Sequence, residues 1–441
     1  MASTAFPHKA LPFAAVAAAL LAAAHPGTAT AQAARRATPP ARPASAPPPV
    51  ARPTQNYWVY VGAESADKMH RIRFGPAGAE VEKTIPVGEQ AAEMEGPHGL
   101  IISPDARFLY LTTGHGTPAG KLWKYELGPD TLVAPGLPLG NFPASLDVTP
   151  DGLYTMSSNF NLHGDMIPST ISVVYTPTMT EMSRPVTCTM PHGSRITPDG
   201  LAHYSGCMMD DQLVEIDARS FEVSRRFSLA KGKEGALEKT AGAMLAGGGD
   251  GHDAHAGHDT AASAARPAVR PPIDPAEAGA AAMGGMKHDM VPNSCSPTWA
   301  QPSADGKSVF VACNKADEIV EVDRAKWAIA RRFKTGRGPY NLTVTPDGKL
   351  LLVTLKQGAM FEIFDLASGH SVMQAKNSTT VAHGVAVSRD SRYAFVSSEG
   401  VGAAPGKVDV YDLKARARVA TVDVAQQAGG IAFWKQEPAT K

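Results

Sequence analysis

Six short segments share one pattern: a Pro or Ala start, a few mostly apolar residues, then a turn built on Asp. They read Pro97-HGLIISPD-Ala106, Pro143-ASLDVTPD-Gly152, Pro191-HGSRITPD-Gly200, Pro297-TWAQPSAD-Gly306, Pro339-YNLTVTPD-Gly348 and Ala382-HGVAVSRD-Ser391. The turn aspartates (Asp105, Asp151, Asp199, Asp305, Asp347, Asp390) follow one another at 46, 48, 106, 42 and 43 positions. A repeat of this period means small sheets that cannot bury their faces alone and must pack on one another. The one long gap holds an insertion. The fold class expected is all-β, a seven-bladed β-propeller.

Each repeat reads as two alternating apolar strands, A and B, joined by a Pro-Asp-Gly turn in which Pro sets φ and Gly tolerates positive φ. Third strands follow, such as DQLVEID (Asp211–Asp217) and DEIVEVD (Asp317–Asp323). The chain ends supply incomplete blades. YWVYVGA from Tyr57 looks like a strand B with nothing before it, and GGIAFW from Gly429 like a strand A with nothing after it. Their pairing completes a seventh blade and removes the open edge of a linear array. That composite is blade 1, and the six segments open blades 2 to 7.

The 441 residues carry no formal net charge, which argues against a nucleic-acid surface. Residues 10–24 are apolar, follow Lys9 and precede Ala29-Thr-Ala31 and Ala31-Gln-Ala33. They read as the core of a removable signal peptide over 1–33, too short for a membrane span. Residues 34–55 form a Pro/Ala-rich linker, and 56–436 the propeller. An exported, periplasmic, monomeric protein without membrane insertion is expected. Its four cysteines repeat in placement: Cys207 and Cys313 each lie 16 residues after the opening Pro of their blade, and Cys188 and Cys295 just before it. Pairs 188–207 and 295–313 are therefore expected as disulfides. Four cysteines allow three connectivities, and free thiols or thiolate metal ligands are the alternatives.

Strand A starts, strand B ends and the connections between blades share one face, here called upper. The second residue of the segment is His in blades 2, 4 and 7: His98, His192 and His383. Around a seven-fold ring these blades are two, three and two steps apart, close to trigonal. Imidazoles converging with that spacing suit a metal ion, copper first, with zinc or nickel as alternatives. The competing reading is a ring that packs between blades. Further soft or nitrogen donors, His115, His163, Met166, Met94, Met190, Met208 and Met209, fall on the same face.

The second strong feature is the connection 231–294 between blades 4 and 5, rich in Gly, Ala and Pro and expected to be disordered. It carries His252, His255 and His258, then Met283, Met286, His288 and Met290. Imidazoles bind Cu(II), Ni(II) or Zn(II) and thioethers select Cu(I), so the pair of clusters suits a copper ion that changes oxidation state. A spacer with adventitious metal affinity is the plainer reading.

There is no GxSxG elbow, Walker A loop, HExxH or CxxCH motif. Asp147 stands out on a strand, yet no second carboxylate has a defined separation from it. The SPD and TPDG turns, together with the B strands FLYLTT, SVFVACN and YAFVSS, resemble the YVTN (YncE-like) family of seven-bladed propellers over about 57–435, outside the insertion. The resemblance implies the fold and an exported protein. Among its relatives are lactonase-like propellers, haem domains of nitrite reductases and copper-holding propellers. Three histidines are too few for a nitrous oxide reductase cluster. The expected function is a metal-binding exported propeller, acting in periplasmic metal handling or as a scaffold for a protein partner or small molecule. Alternatives are a copper-dependent oxidoreductase, a lactonase-like enzyme, or an interaction propeller without metal.

Overall fold

Alternating apolar residues flanking each Asp turn fold as an antiparallel strand pair, and two outer strands complete each sheet. The computed structural model describes residues 52–89, 93–114, 120–238 and 293–439. Strands A are Pro97–Ile102, Pro143–Val148, Pro191–Ile196, Pro297–Pro302, Pro339–Val344 and Ala382–Val387 in blades 2 to 7. In blade 1 the C-terminal strand Ala428–Pro438 plays that part and pairs with Gln55–Ala63, from Gln55 opposite Pro438 to Ala63 opposite Ala428. The ring is closed as expected, seven sheets each running A, B, C, D. No described helix is long and apolar enough to cross a membrane.

Every turn aspartate has the same structural task. In blade 2, Asp105 Oδ1 accepts the Ser103 hydroxyl at 2.6 Å and the Arg107 N–H at 3.0 Å. In blade 6, Asp347 does so with Thr345 and Lys349 at 2.6 and 3.1 Å. These carboxylates are turn locks.

The B strands are near-continuous apolar runs buried on both faces, and neighbouring blades bury those faces against each other. Among the described residues, each of the seven blade interfaces holds its own apolar cluster. The blade 1–2 cluster centres on Tyr60, Trp123 and Trp434, and the blade 5–6 cluster on Phe310, Phe333 and Phe364. The innermost strands approach closely. A Cβ on Gly193, at φ +63°, would lie 2.5 Å from the Trp299 Cα of the next blade. The glycine after His192 is thus required by backbone contact between blades.

Part of the 231–294 connection is ordered: Gly235–Leu237 adds a fifth strand to blade 4. At its far end, Ser294 donates its N–H to Asp211, as do Cys295 and Ser296. Residues 1–33, expected as a signal peptide, and His115 lie outside the described residues. Both expected disulfides are present, Cys188–Cys207 and Cys295–Cys313, each tying the start of strand A to the end of strand B.

Closed loops of this size stabilise by about 3 kcal/mol in the chain-entropy picture. The Cys188→Ala/Cys207→Ala variant is therefore expected to lose 2–4 kcal/mol (~ order of magnitude) in denaturant unfolding, with the propeller still formed. Loss below about 1 kcal/mol would show the bridge to be structurally idle.

A second expectation concerns acid. His203, fully buried on strand B of blade 4, donates from Nε2 to Ser194 Oγ, which itself donates to the Met156 carbonyl. Burial, then the nearby Arg195 charge, lowers its pKa to about 3 from 6.5. The unfolded chain takes up this proton below pH 6.5 and the folded chain does not until about pH 3. Stability is therefore present above that window and lost through it as pH falls, by up to about 1.4 kcal/mol per pH unit. His203→Gln should flatten the acid limb of a stability–pH curve; an unchanged slope would contradict the assignment.

Candidate functional site

In each blade the pairing of strand A with strand B slips after its first one or two pairs. The shift falls between Pro97 and Leu100, between His192 and Arg195, and between Ala382 and Val385. Such a bulge takes the second residue of strand A out of the ladder in blades 2, 6 and 7 and lies directly beside it in blade 4, where His192 still pairs with Gly206. In blades 2, 4, 6 and 7 it sends His98, His192, Tyr340 and His383 toward the propeller axis at the upper face. All four are buried, at 8, 2, 8 and 3% exposure.

The predicted histidines do come together. The rings of His98 and His383 are 5.2 Å apart, those of His98 and His192 6.3 Å, all edge-to-face. Tyr340 sits between the other two, its hydroxyl 3.2 Å from His192 Nε2 and 3.4 Å from His383 Nε2. Phe142 packs on His98 and Phe160 on His192 at 5.2 and 5.1 Å between ring centres. His192 Nδ1 lies 2.7 Å from the Thr298 carbonyl, which can only accept. Nδ1 therefore carries the proton, and Nε2 presents its lone pair to the Tyr340 hydroxyl.

A second ring of residues completes the site. The position just after strand B is Glu64 in blade 1, Lys356 in blade 6 and Glu399 in blade 7. Glu64, 2% exposed, places Oε1 3.7 Å from His98 Nε2, while its Oε2 accepts from Gln427 at 3.0 Å. Donor atoms of Glu64, His98 and His383 all lie within 4.8 Å of one another. Lys356 Nζ is bound to Glu399 at 2.9 Å and lies 4.4 Å from the centre of the Tyr340 ring. Glu399 also reaches within 3.9 Å of His383 Nε2.

The electrostatics disfavour the charged forms of His192, His383 and Glu64. Burial lowers His192 to about 4, with the Thr298 carbonyl opposing. Burial, then Lys356 and the neighbouring imidazoles, holds His383 well below the ordinary histidine value. Burial and the Glu399 charge raise Glu64 well above the ordinary carboxylate value. Burial works against the Lys356 charge, but Tyr340, Glu399 and Glu64 outweigh it and its pKa rises.

Not every candidate joins this cluster. His163 and Met166 are exposed in a blade 3 loop, and Met94 is exposed beside blade 2. His252, His255, His258, Met283, Met286, His288 and Met290 lie outside the described residues. The donor set within mutual reach is Glu64, His98 and His383, with His192 one Tyr340 hydroxyl away. Glu64, Lys356, Glu399 and Tyr340 are the additions. The repeat contained their signal, since Glu64 and Glu399 occupy the same slot after YWVYVGA and YAFVSS.

Comparison with known proteins supports the fold. The family model of the YNCE-like beta-propeller matches residues 288–430, bearing out the resemblance carried by the repeat. No curated protein matches the sequence. Among solved structures, the periplasmic gluconolactonase PpgL of Pseudomonas aeruginosa is similar at TM-score 0.57 and 15% identity, covering 86% of this chain and 99% of that one. A functionally unknown protein from Desulfotomaculum acetoxidans gives 0.57 and 15%, over 86% and 98%. Hydrazine synthase of Kuenenia stuttgartiensis gives 0.51 and 15%, over 77% and 91%. At such identity these likenesses speak for the propeller alone.

Lys356 neutralises a partly enclosed carboxylate, the two side chains being 33 and 15% exposed. Lys356→Met is expected to cost about 1–3 kcal/mol, between the values for exposed and for fully buried pairs. The double variant Lys356→Met/Glu399→Gln should recover part of that loss in thermal or denaturant unfolding. Equal losses in single and double variants would show that the pair does not act as a unit.

Proposed function

We propose that this protein is an exported propeller that holds a divalent transition metal at its upper face, with copper the first candidate and zinc the second. The observation that carries the reading is the buried convergence of Glu64, His98 and His383, whose donor atoms lie within 4.8 Å of each other. Donors around a tetrahedral ion at ~2.1 Å stand about 3.4 Å apart. His98 Nε2 and Glu64 Oε1, at 3.7 Å, are already near that spacing. Imidazole with carboxylate suits Cu(II) or Zn(II), and His192 offers a further nitrogen if the Tyr340 hydroxyl turns away. The His/Met clusters of 252–290 are read as a collecting segment for the same ion.

Export belongs to the same proposal, and the two disulfides fit an oxidising compartment. The role is metal handling or metal-dependent partner binding in the periplasm. Copper-dependent oxidation and lactone hydrolysis are the catalytic alternatives. Burial of all three histidines, with Phe142 packed on His98 and Phe160 on His192, favours holding an ion over presenting it to a substrate.

Elemental analysis of protein purified from the periplasm tests this directly. One metal per propeller is expected in the intact chain and in a variant with 239–292 replaced by a short linker. Loss to background is expected in His98→Ala/His383→Ala. Metal-free intact protein, or loading unaffected by the double substitution, would overturn the site.

A further inference from the structure

The slot one residue past strand B is charged in three blades only, and these are consecutive around the ring. It holds Lys356 in blade 6, Glu399 in blade 7 and Glu64 in blade 1, whereas blades 2 to 5 place Gly114, Phe160, Met208 and Asn314 there. The backbone sets the two glutamates side by side. Glu64 donates its N–H to the Gln427 carbonyl at 3.0 Å, and Gln427 donates its own N–H to the Glu399 carbonyl at 3.0 Å. Their side chains meet different partners. Glu64 reaches toward His98, and its other oxygen accepts from Gln427. Glu399 shares one oxygen, Oε1, between two neighbours: it lies 2.9 Å from Lys356 Nζ and 3.9 Å from His383 Nε2.

The Lys356–Glu399 pair is the more solvent-exposed part of this cluster. Side-chain exposure is 33% for Lys356 and 15% for Glu399, against 10% for His98, 4% for His383 and 3% for Glu64. Lys356 also stands over the Tyr340 ring, and both glutamates act on its charge. The cation beside these carboxylates is thus an ammonium on a flexible four-carbon stem, with solvent on its outer side.

Resting on the metal site proposed above, we infer that Glu399 is a further ligand of that site and that Lys356 holds its carboxylate until the metal arrives. A divalent ion and an ammonium compete for the same oxygen, and the ion brings twice the charge. At 3.9 Å from His383 Nε2, Glu399 Oε1 stands about as far from its imidazole as Glu64 Oε1 does from His98 Nε2, at 3.7 Å. The metal–Oε1 bond forms as the ion pair with Lys356 breaks. No electron moves, and Lys356 keeps its proton and turns outward, where its side chain already meets solvent. Lys356 thereby sets the metal concentration at which the site fills.

Cu(II) titrated into the full exported chain against a chromophoric chelator reads the affinity, counting only the binding that His98→Ala/His383→Ala abolishes. Lys356→Met should tighten that binding at least tenfold by removing the competitor, the opposite of what loss of a merely structural contact would do. Glu399→Gln, made in the Lys356→Met background where no ammonium is left to repel the ion, should weaken it at least tenfold. Glu399→Gln in the otherwise intact chain should weaken it too, and carries the test should Lys356→Met fail to fold. Binding that Lys356→Met leaves unchanged or weakens, or that survives Glu399→Gln undiminished, would overturn the inference while leaving Glu64, His98 and His383 as a site. No histidine-dependent binding in the intact chain would overturn the site and the inference together.

Discussion

The close approach of innermost strands at the axis governs the rest of this molecule. Seven sheets can pack blade on blade around one channel only if the strands that line it meet backbone to backbone. Gly193 shows the constraint locally, because the next blade occupies the place of a side chain there. The same crowding leaves little room at the axis, so the bulged second residues of strand A are pressed into one group. The histidine cluster is thus a consequence of propeller closure acting on three particular side chains.

Trp299 stands between His192 above and Arg195 below, contacting both. Above it are imidazoles, a tyrosine and carboxyl groups, with Phe142 on His98 and Phe160 on His192. Below it, Asp147 and Gln301 line an open cavity.

The architecture was legible in the residues, because the Asp turns, the strand alternation and the incomplete chain ends all repeat or complement one another. The disulfides followed from the same arithmetic, as Cys188 and Cys295 occupy equivalent places. The convergence of His98, His192 and His383 was legible as a spacing. Their direction was not, because it depends on a bulge that has no residue signature beyond a following small residue. Glu64 and Glu399 escaped notice because they sit one position past their strands, where a loop carboxylate ordinarily meets solvent. The strand Gly235–Leu237 is a further departure: a Gly-rich start to a long connection reads as coil, yet the exposed edge of blade 4 supplied a partner.

The central claim is that closure of the ring assembles a metal site from blades 1, 2 and 7. Anomalous diffraction from crystals of the copper-loaded protein, recorded on both sides of the copper edge, tests it most directly. The expected result is one strong peak among Glu64, His98 and His383, with the Tyr340 hydroxyl and His192 ring at its margin. Copper bound elsewhere on the chain, with no peak among these three residues, would contradict it.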